Sequence, residues 1–162
     1  MNGKKALVTG SSRGIGKAIA IKLAKDGYEV IIHYVGNDQK ATETKEIIEA
    51  NGGKAQIVKA DFCNIEDAKA FAEKVRDIDV LVLNASVQYR KKWDEITLSE
   101  CADQINCNFL ASLLLIQSVV PNMKNKRWGR IVTIGSVQEA KPHPDMLVYS
   151  ATKSAQTNMV KS

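Results

Sequence analysis

The chain has 162 residues, of which 44% are hydrophobic and 25% charged, and it carries a net charge of +5. That length suits one domain able to bury roughly 70% of the surface its unfolded form exposes, and the composition excludes a disordered chain. The lysines are dispersed, which argues against a nucleic-acid-binding patch, while a mildly basic surface suits phosphates or acidic carrier proteins.

Short apolar runs alternate with longer amphipathic segments. Ala6-Leu7-Val8 predicts a first strand, and Ile15 to Lys25 a helix with Ile15, Ala18, Ile19 and Leu23 on its apolar face. Val30-Ile31-Ile32 predicts a second strand, followed by a charged helix from Asp38 to Glu49 that Gly52-Gly53 ends. Ala55 to Val58 is a third strand, and Ile65 to Val75 a helix with Ala68, Phe71, Ala72 and Val75 facing inward. Val80 to Leu83 is continuously apolar, which predicts a strand covered on both faces. A long helix runs from Leu98 to about Val120, a fifth strand from Ile131 to Ile134, and a last helix begins near Leu147. The longest apolar run, Leu113 to Ile116, is too short to cross a bilayer.

Strict alternation of strand and helix predicts an α/β fold with parallel strands and right-handed crossovers. The expected architecture is a doubly wound, Rossmann-like sheet, a single domain over 1–162, with ligands at the carboxyl ends of the strands. Cys63, Cys101 and Cys107 are odd in number and form no C-x-x-C. With no leader peptide at the start, they suit a reduced, cytoplasmic setting. Cys101 and Cys107 are expected to face away from each other on their helix. His33 and His143 are isolated, so no metal site is expected.

The chemistry gathers at strand ends. Thr9-Gly10-Ser11-Ser12-Arg13-Gly14-Ile15-Gly16 follows the first strand and opens a helix. Its glycines allow a tight turn and close approach to a pyrophosphate, and the helix start offers unpaired N–H groups. The spacing is G-x-x-x-G-x-G rather than G-x-G-x-x-G. An acidic residue after the second strand would hold a ribose 2′-hydroxyl and repel a 2′-phosphate. Here Tyr34-Val35-Gly36-Asn37 offers no carboxylate before Asp38, which puts Tyr34 and Asn37 beside the ribose. Arg13 stands in the glycine turn, where it can meet a phosphate. Both points favour NADPH over NADH. Tyr149 and Lys153 sit four apart, on one helical face, and a cation beside a tyrosine favours the phenolate. Such a pair suits proton transfer near neutral pH, and with a nucleotide turn it suggests hydride chemistry on a carbonyl or alcohol.

Taken in order, these elements resemble the classical short-chain dehydrogenases/reductases, from Lys4 to Ser162. The elements are the glycine turn, Asp61 after the third strand, Asn84-Ala85 after the fourth, Asn108 in the long helix, Ser136 after the fifth strand, and Tyr149 with Lys153. Within that family, Tyr34 to Asn37 and Gly129 to Ser136 look most like the 3-oxoacyl-[acyl-carrier-protein] reductases. The resemblance implies a strand order of 3-2-1-4-5, with the chain ending before the sixth and seventh strands. It implies that Asp61, with the Phe62 backbone, holds the adenine and that Asn84 lines the cofactor cleft. It implies that Ser136 polarises the substrate carbonyl, Tyr149 donates the proton, Lys153 holds the ribose hydroxyls, and Asn108 anchors a relay water. Ser86 departs from the family's usual Asn-Ala-Gly and is expected to lie beside the nicotinamide. The expected function is hydride transfer between NADPH and a keto or hydroxy group, with a 3-oxoacyl thioester as the candidate substrate. Cofactor binding without turnover is the alternative, and a dehydratase or epimerase using tightly held NAD a third reading. Lys124, Lys126 and Arg127 form a basic cluster that could meet an acidic carrier. Packing of the Asn108 and Tyr149 helices into dimers or tetramers is implied by the family.

Overall fold

The computed structural model describes residues 3–162. Five parallel strands form one sheet in the order β3-β2-β1-β4-β5. They are β1 (Lys5–Val8), β2 (Glu29–Tyr34), β3 (Lys54–Lys59), β4 (Val80–Leu83) and β5 (Arg130–Thr133). The helices are α1 (Gly14–Lys25), α2 (Asp38–Ala50), α3 (Ile65–Lys74), α4 (Leu98–Ile105), α5 (Ala111–Asn125) and α6 (Leu147–Lys161). In register, Leu7 of β1 stands between Ile31 of β2 and Leu81 of β4. All four residues of β4 are buried, as a strand covered on both faces requires.

Each face of the sheet has its own core. One joins Leu7, Leu81 and Leu83 to Phe71 and Ala72 of α3 and to Ala111, Leu115 and Val119 of α5. The other joins Val8, Ile32 and Val82 to Ala20 and Ala24 of α1 and Ile48 of α2. The inward residues expected on α3 are all buried. The expected face of α1 is corrected. Gly16, Ala20 and Ala24 are its buried residues, and Ile15 is 62% exposed. Small residues let α1 approach the sheet closely, while Ile15 stands at the helix start, over the cleft.

The long helix is also corrected. It extends to Asn125 and is broken by a π turn at Asn106–Leu110 between α4 and α5. The wider turn accompanies the burial of Asn108, whose carboxamide is spent on the backbone of Val87. Local capping fixes the other helix starts. Asn37 caps α2, Asn64 caps α3, and Thr97 with Glu100 forms a reciprocal capping box on α4. By length and composition the stretch Leu98–Asn125 could cross a membrane, which the longest-run criterion missed. Its apolar residues Ala111, Leu115, Val119 and Met123 are buried against the sheet, which accounts for that hydropathy.

Candidate functional site

The carboxyl ends of β1 and β4 are clamped together by polar side chains. Thr9 Oγ1 accepts the N–H groups of Asn84 and Ala85, each at 2.9 Å. The Asn84 carboxamide donates back to the carbonyls of Thr9 (2.9 Å) and Gly10 (3.0 Å). It occupies the space that a side chain at Gly16 would need, since a Cβ there would stand 2.6 Å from Asn84 Nδ2. Gly10 and Gly14 have φ of +63° and +59°, the left-handed region that favours glycine. Arg13 precedes α1 with an exposed side chain, and no side chain caps that helix. Its first N–H groups are therefore open at a positive dipole end, the arrangement that receives a pyrophosphate.

His33 was not among the expected site residues, yet it organises this turn. The Gly10 N–H donates to Nδ1 at 3.0 Å, which leaves the proton on Nε2 to reach the Ala60 carbonyl at 3.0 Å. The ring stacks on Phe62 at 3.9 Å. Burial lowers its pKa to about 4, so the imidazole is neutral. An isolated histidine gives no motif signal; its partners Gly10, Ala60 and Phe62 come from the loops after β1 and β3. Phe62 is itself buried against His33 and Phe71, so only its backbone faces the site. Asp61 is exposed, and its carboxylate accepts the Cys63 N–H at 2.9 Å.

Beyond β2, Asp38 is not a free carboxylate. Its Oδ1 lies 3.0 Å from Lys59 Nζ, and the Tyr34 hydroxyl also bonds to it. The Lys59 and Tyr34 bonds hold its pKa below the usual carboxylate value. Asn37 spends its side-chain oxygen on the Lys40 N–H, at 2.9 Å.

At the other end of the cleft, α6 is fixed to the π turn and to β5. Asn108, fully buried, accepts from the Val87 N–H at 2.8 Å and donates to the Val87 carbonyl at 3.0 Å and to Thr152 Oγ1 at 3.1 Å. Thr152 in turn donates to the Tyr149 carbonyl. Lys153 is only 2% exposed; its ammonium donates to the carbonyl of Ile134, just past β5, and to Gln156 Oε1 at 2.7 Å. Gln156 donates to Ser112 at 2.8 Å, and Ser112 to the Asn108 carbonyl. Thr152, Gln156 and Ser112 thus tie Lys153 to Asn108; sequence reasoning missed them because small polar residues on helices carry no signal before the helices are packed. Burial lowers the Lys153 pKa. Two of its three protons are used, leaving one to offer.

Ser136 begins a 3₁₀ turn against which α6 packs. Its Oγ accepts the Gln138 N–H at 3.2 Å, and Glu139 accepts the Ser136 N–H at 2.7 Å. The Ser136 hydroxyl proton is not used in this cap. Tyr149 is half-buried, and its hydroxyl makes no hydrogen bond among the described residues. Ser86 is exposed, in the loop after β4. The loop before α4 meets the segment before α6, where the Lys91 N–H donates to the Asp145 carbonyl at 2.9 Å. Of the basic cluster, Lys126 is engaged by Asp77 (2.7 Å) and Asp79 (3.1 Å), while Lys124 and Arg127 form no ion pair among the described residues. Among the described residues no three side chains are grouped to hold a metal.

The chain is similar to known proteins over nearly its whole length. A family model described as short chain dehydrogenase matches residues 4–162. A 3-oxoacyl-[acyl-carrier-protein] reductase of Staphylococcus aureus is 35% identical, over 98% of this chain and 66% of its own length. The structure of a 3-oxoacyl (acyl-carrier-protein) reductase from Agrobacterium tumefaciens C58 with NADP bound is 37% identical, with a TM-score of 0.91, over 98% of this chain and 62% of that one. A metagenomic short-chain oxidoreductase in complex with NADP is 32% identical, with a TM-score of 0.92, over 99% of this chain and 73% of its own. The chain therefore spans just under two thirds of the length of the curated relative.

Proposed function

We propose that this chain, which belongs to the short-chain dehydrogenase family, carries the cofactor-binding and catalytic parts of an oxidoreductase that transfers a hydride between NADPH and a keto or hydroxy group. The observation that carries this reading is the buried Lys153 beside Tyr149, on a helix fixed through Thr152 and Gln156 to Asn108. It stands at the same edge of the sheet as the open, glycine-lined start of α1.

The residues present fit the cofactor. The open surface at Gly14, the uncapped N–H groups of α1 and the exposed Arg13 suit a pyrophosphate and a 2′-phosphate. Asp38, engaged by Lys59 and Tyr34, leaves no free carboxylate after β2 to repel that phosphate, which supports NADPH. The NADP bound to the two structural relatives supports it too. Asp61 and the Phe62 backbone would meet the adenine, Tyr34 and Asn37 the ribose, and Ala85 and Ser86 the nicotinamide end. When bound, the nicotinamide supplies or accepts the hydride.

Charge builds on the substrate oxygen as the carbonyl is reduced. The Ser136 hydroxyl, with its proton unused, donates to that oxygen, and Tyr149 gives up its phenolic proton there. Lys153 holds a positive charge below the phenol, with one proton left for a ribose hydroxyl. Asn108 fixes Val87 and α6, which holds the Tyr149 helix in place. A 3-oxoacyl thioester on a carrier protein is the substrate class we favour, because the reductases named above act under that description. Lys124 and Arg127 are the cations left to meet such a carrier. Self-association through α4 and α6, and a cytoplasmic setting, complete the proposal.

Tyr149→Phe tests it. Turnover of NADPH with a 3-oxoacyl thioester should fall about 10²- to 10⁴-fold, the usual worth of a positioned acid. The NADPH Kd from fluorescence titration should stay within about twofold, since the phenol is not needed for pyrophosphate binding. Retained turnover removes Tyr149 from the role of proton donor. Binding without turnover in the wild-type chain favours the alternative of a cofactor-binding module.

A further inference from the structure

Two thiols far apart in the chain meet beside the site. Cys63 follows Asp61 and Phe62 in the turn between β3 and α3, and Cys107 stands in the π turn, one residue before Asn108. Cys63 packs against the core cluster to which Cys107 belongs and which α3 and α5 share. The neighbouring Asn106 donates to the Cys63 carbonyl at 2.9 Å, which pins the two backbones to each other. The two thiols stand close enough for each to shift the other's pKa. Cys101 takes no part; it lines an apolar groove with Ile105, Phe109 and Leu147.

We propose that Cys63 and Cys107 are a redox site that closes to a disulfide when the protein meets a hydroperoxide, joining the β3–α3 turn to the π turn. Nothing in the chemistry of hydride transfer requires this pair. The roles of the two sulfurs differ. Cys63 is half-buried and the more accessible of the two, and the neighbouring Cys107 thiol draws its pKa below the ordinary thiol value. The same contact and burial push the Cys107 thiol up, so it keeps its proton. Cys63 is therefore the sulfur that reacts first.

The step balances as follows. The Cys63 sulfur attacks the terminal oxygen of the hydroperoxide, the O–O bond breaks, and an alcohol leaves, giving a sulfenic acid at Cys63. The Cys107 sulfur then attacks the Cys63 sulfur, the S–O bond breaks, and the hydroxyl leaves as water with the Cys107 proton. The two thiols lose two electrons, and the hydroperoxide takes them up as alcohol and water. Exchange with a dithiol restores both thiols. The bond spans the turns that carry Asp61 and Asn108, so its formation couples oxidant to the geometry of the site.

The test treats the protein with hydrogen peroxide, caps free thiols with iodoacetamide, and maps peptides by mass spectrometry without reductant. The expected product is a crosslinked peptide containing Cys63 and Cys107, lighter by two hydrogens than its parts, lost after dithiothreitol, with Cys101 alkylated throughout. In Cys107→Ser, dimedone should trap the sulfenic acid at Cys63. Should that variant fail to fold, the wild-type map still decides. Sulfinic acid at Cys63 with Cys107 alkylated, a disulfide that includes Cys101, or three alkylated cysteines would each overturn the proposal. The readout does not depend on the reaction proposed above.

Discussion

His33 is a residue whose importance depends on its charge. Its Nδ1 accepts the Gly10 N–H only while the imidazole is neutral, and burial keeps it so down to about pH 4. Its folded pKa lies below the unfolded value of 6.5, so the unfolded chain binds more protons between those values. The stability due to the neutral ring is complete above pH 6.5 and is lost as the pH falls toward 4. Urea midpoints of the wild type should therefore drop between pH 7 and pH 5. In His33→Asn that pH dependence should be clearly smaller; an unchanged slope would mean that other groups cause it. At this scale the sequence was most legible where a residue type is scarce in its role. The glycines of the turn, Ser136, Tyr149 and Lys153 are recognisable by order and spacing. His33, Thr152, Gln156 and Ser112 are ordinary residues until packing gives them partners.

At the scale of the element, the π turn is the feature that the periodicity of the long helix did not reveal. Apolar spacing averages over the extra residue, and the helix reads as continuous. The turn presents Asn108 to Val87 and to α6 together. Removing that carboxamide strands a buried backbone N–H and C=O, each costing about 1–3 kcal/mol. Asn108→Ala should therefore lower the urea-derived stability by about that amount and loosen α6. Hydrogen exchange at the start of α6 should accelerate in this variant, and unchanged protection there would show that Asn108 does not anchor it. Boundaries elsewhere shifted for similar reasons. Ile134 leaves β5 and lends its carbonyl to Lys153, and Val75 ends α3 rather than continuing it.

For the whole molecule, the open question is which faces remain uncovered. Leu98 is 90% exposed, and Leu147 and Ile105 border the apolar groove between α4, the π turn and α6. The proposed self-association would use these helices. Ala151→Arg puts a charge into that groove and should shift the sedimentation of the protein toward the monomer; an unchanged profile would move the interface elsewhere. The 3-2-1-4-5 order came from the family resemblance, while the sequence by itself determined the alternation of strands and helices, the parallel sheet, and the small set of residues with special backbone or acid–base character. Those features are local or periodic, so they can be read along the chain. Only the tertiary structure decided that His33 holds the glycine turn, that Asp38 is engaged by Lys59, that Lys153 is tied to Asn108, and that the Cys63 turn is bonded to Asn106 of the π turn. Each of these joins residues distant in sequence through hydrogen bonds or packing, and such pairings exist only once the sheet has brought the loops at its carboxyl edge together.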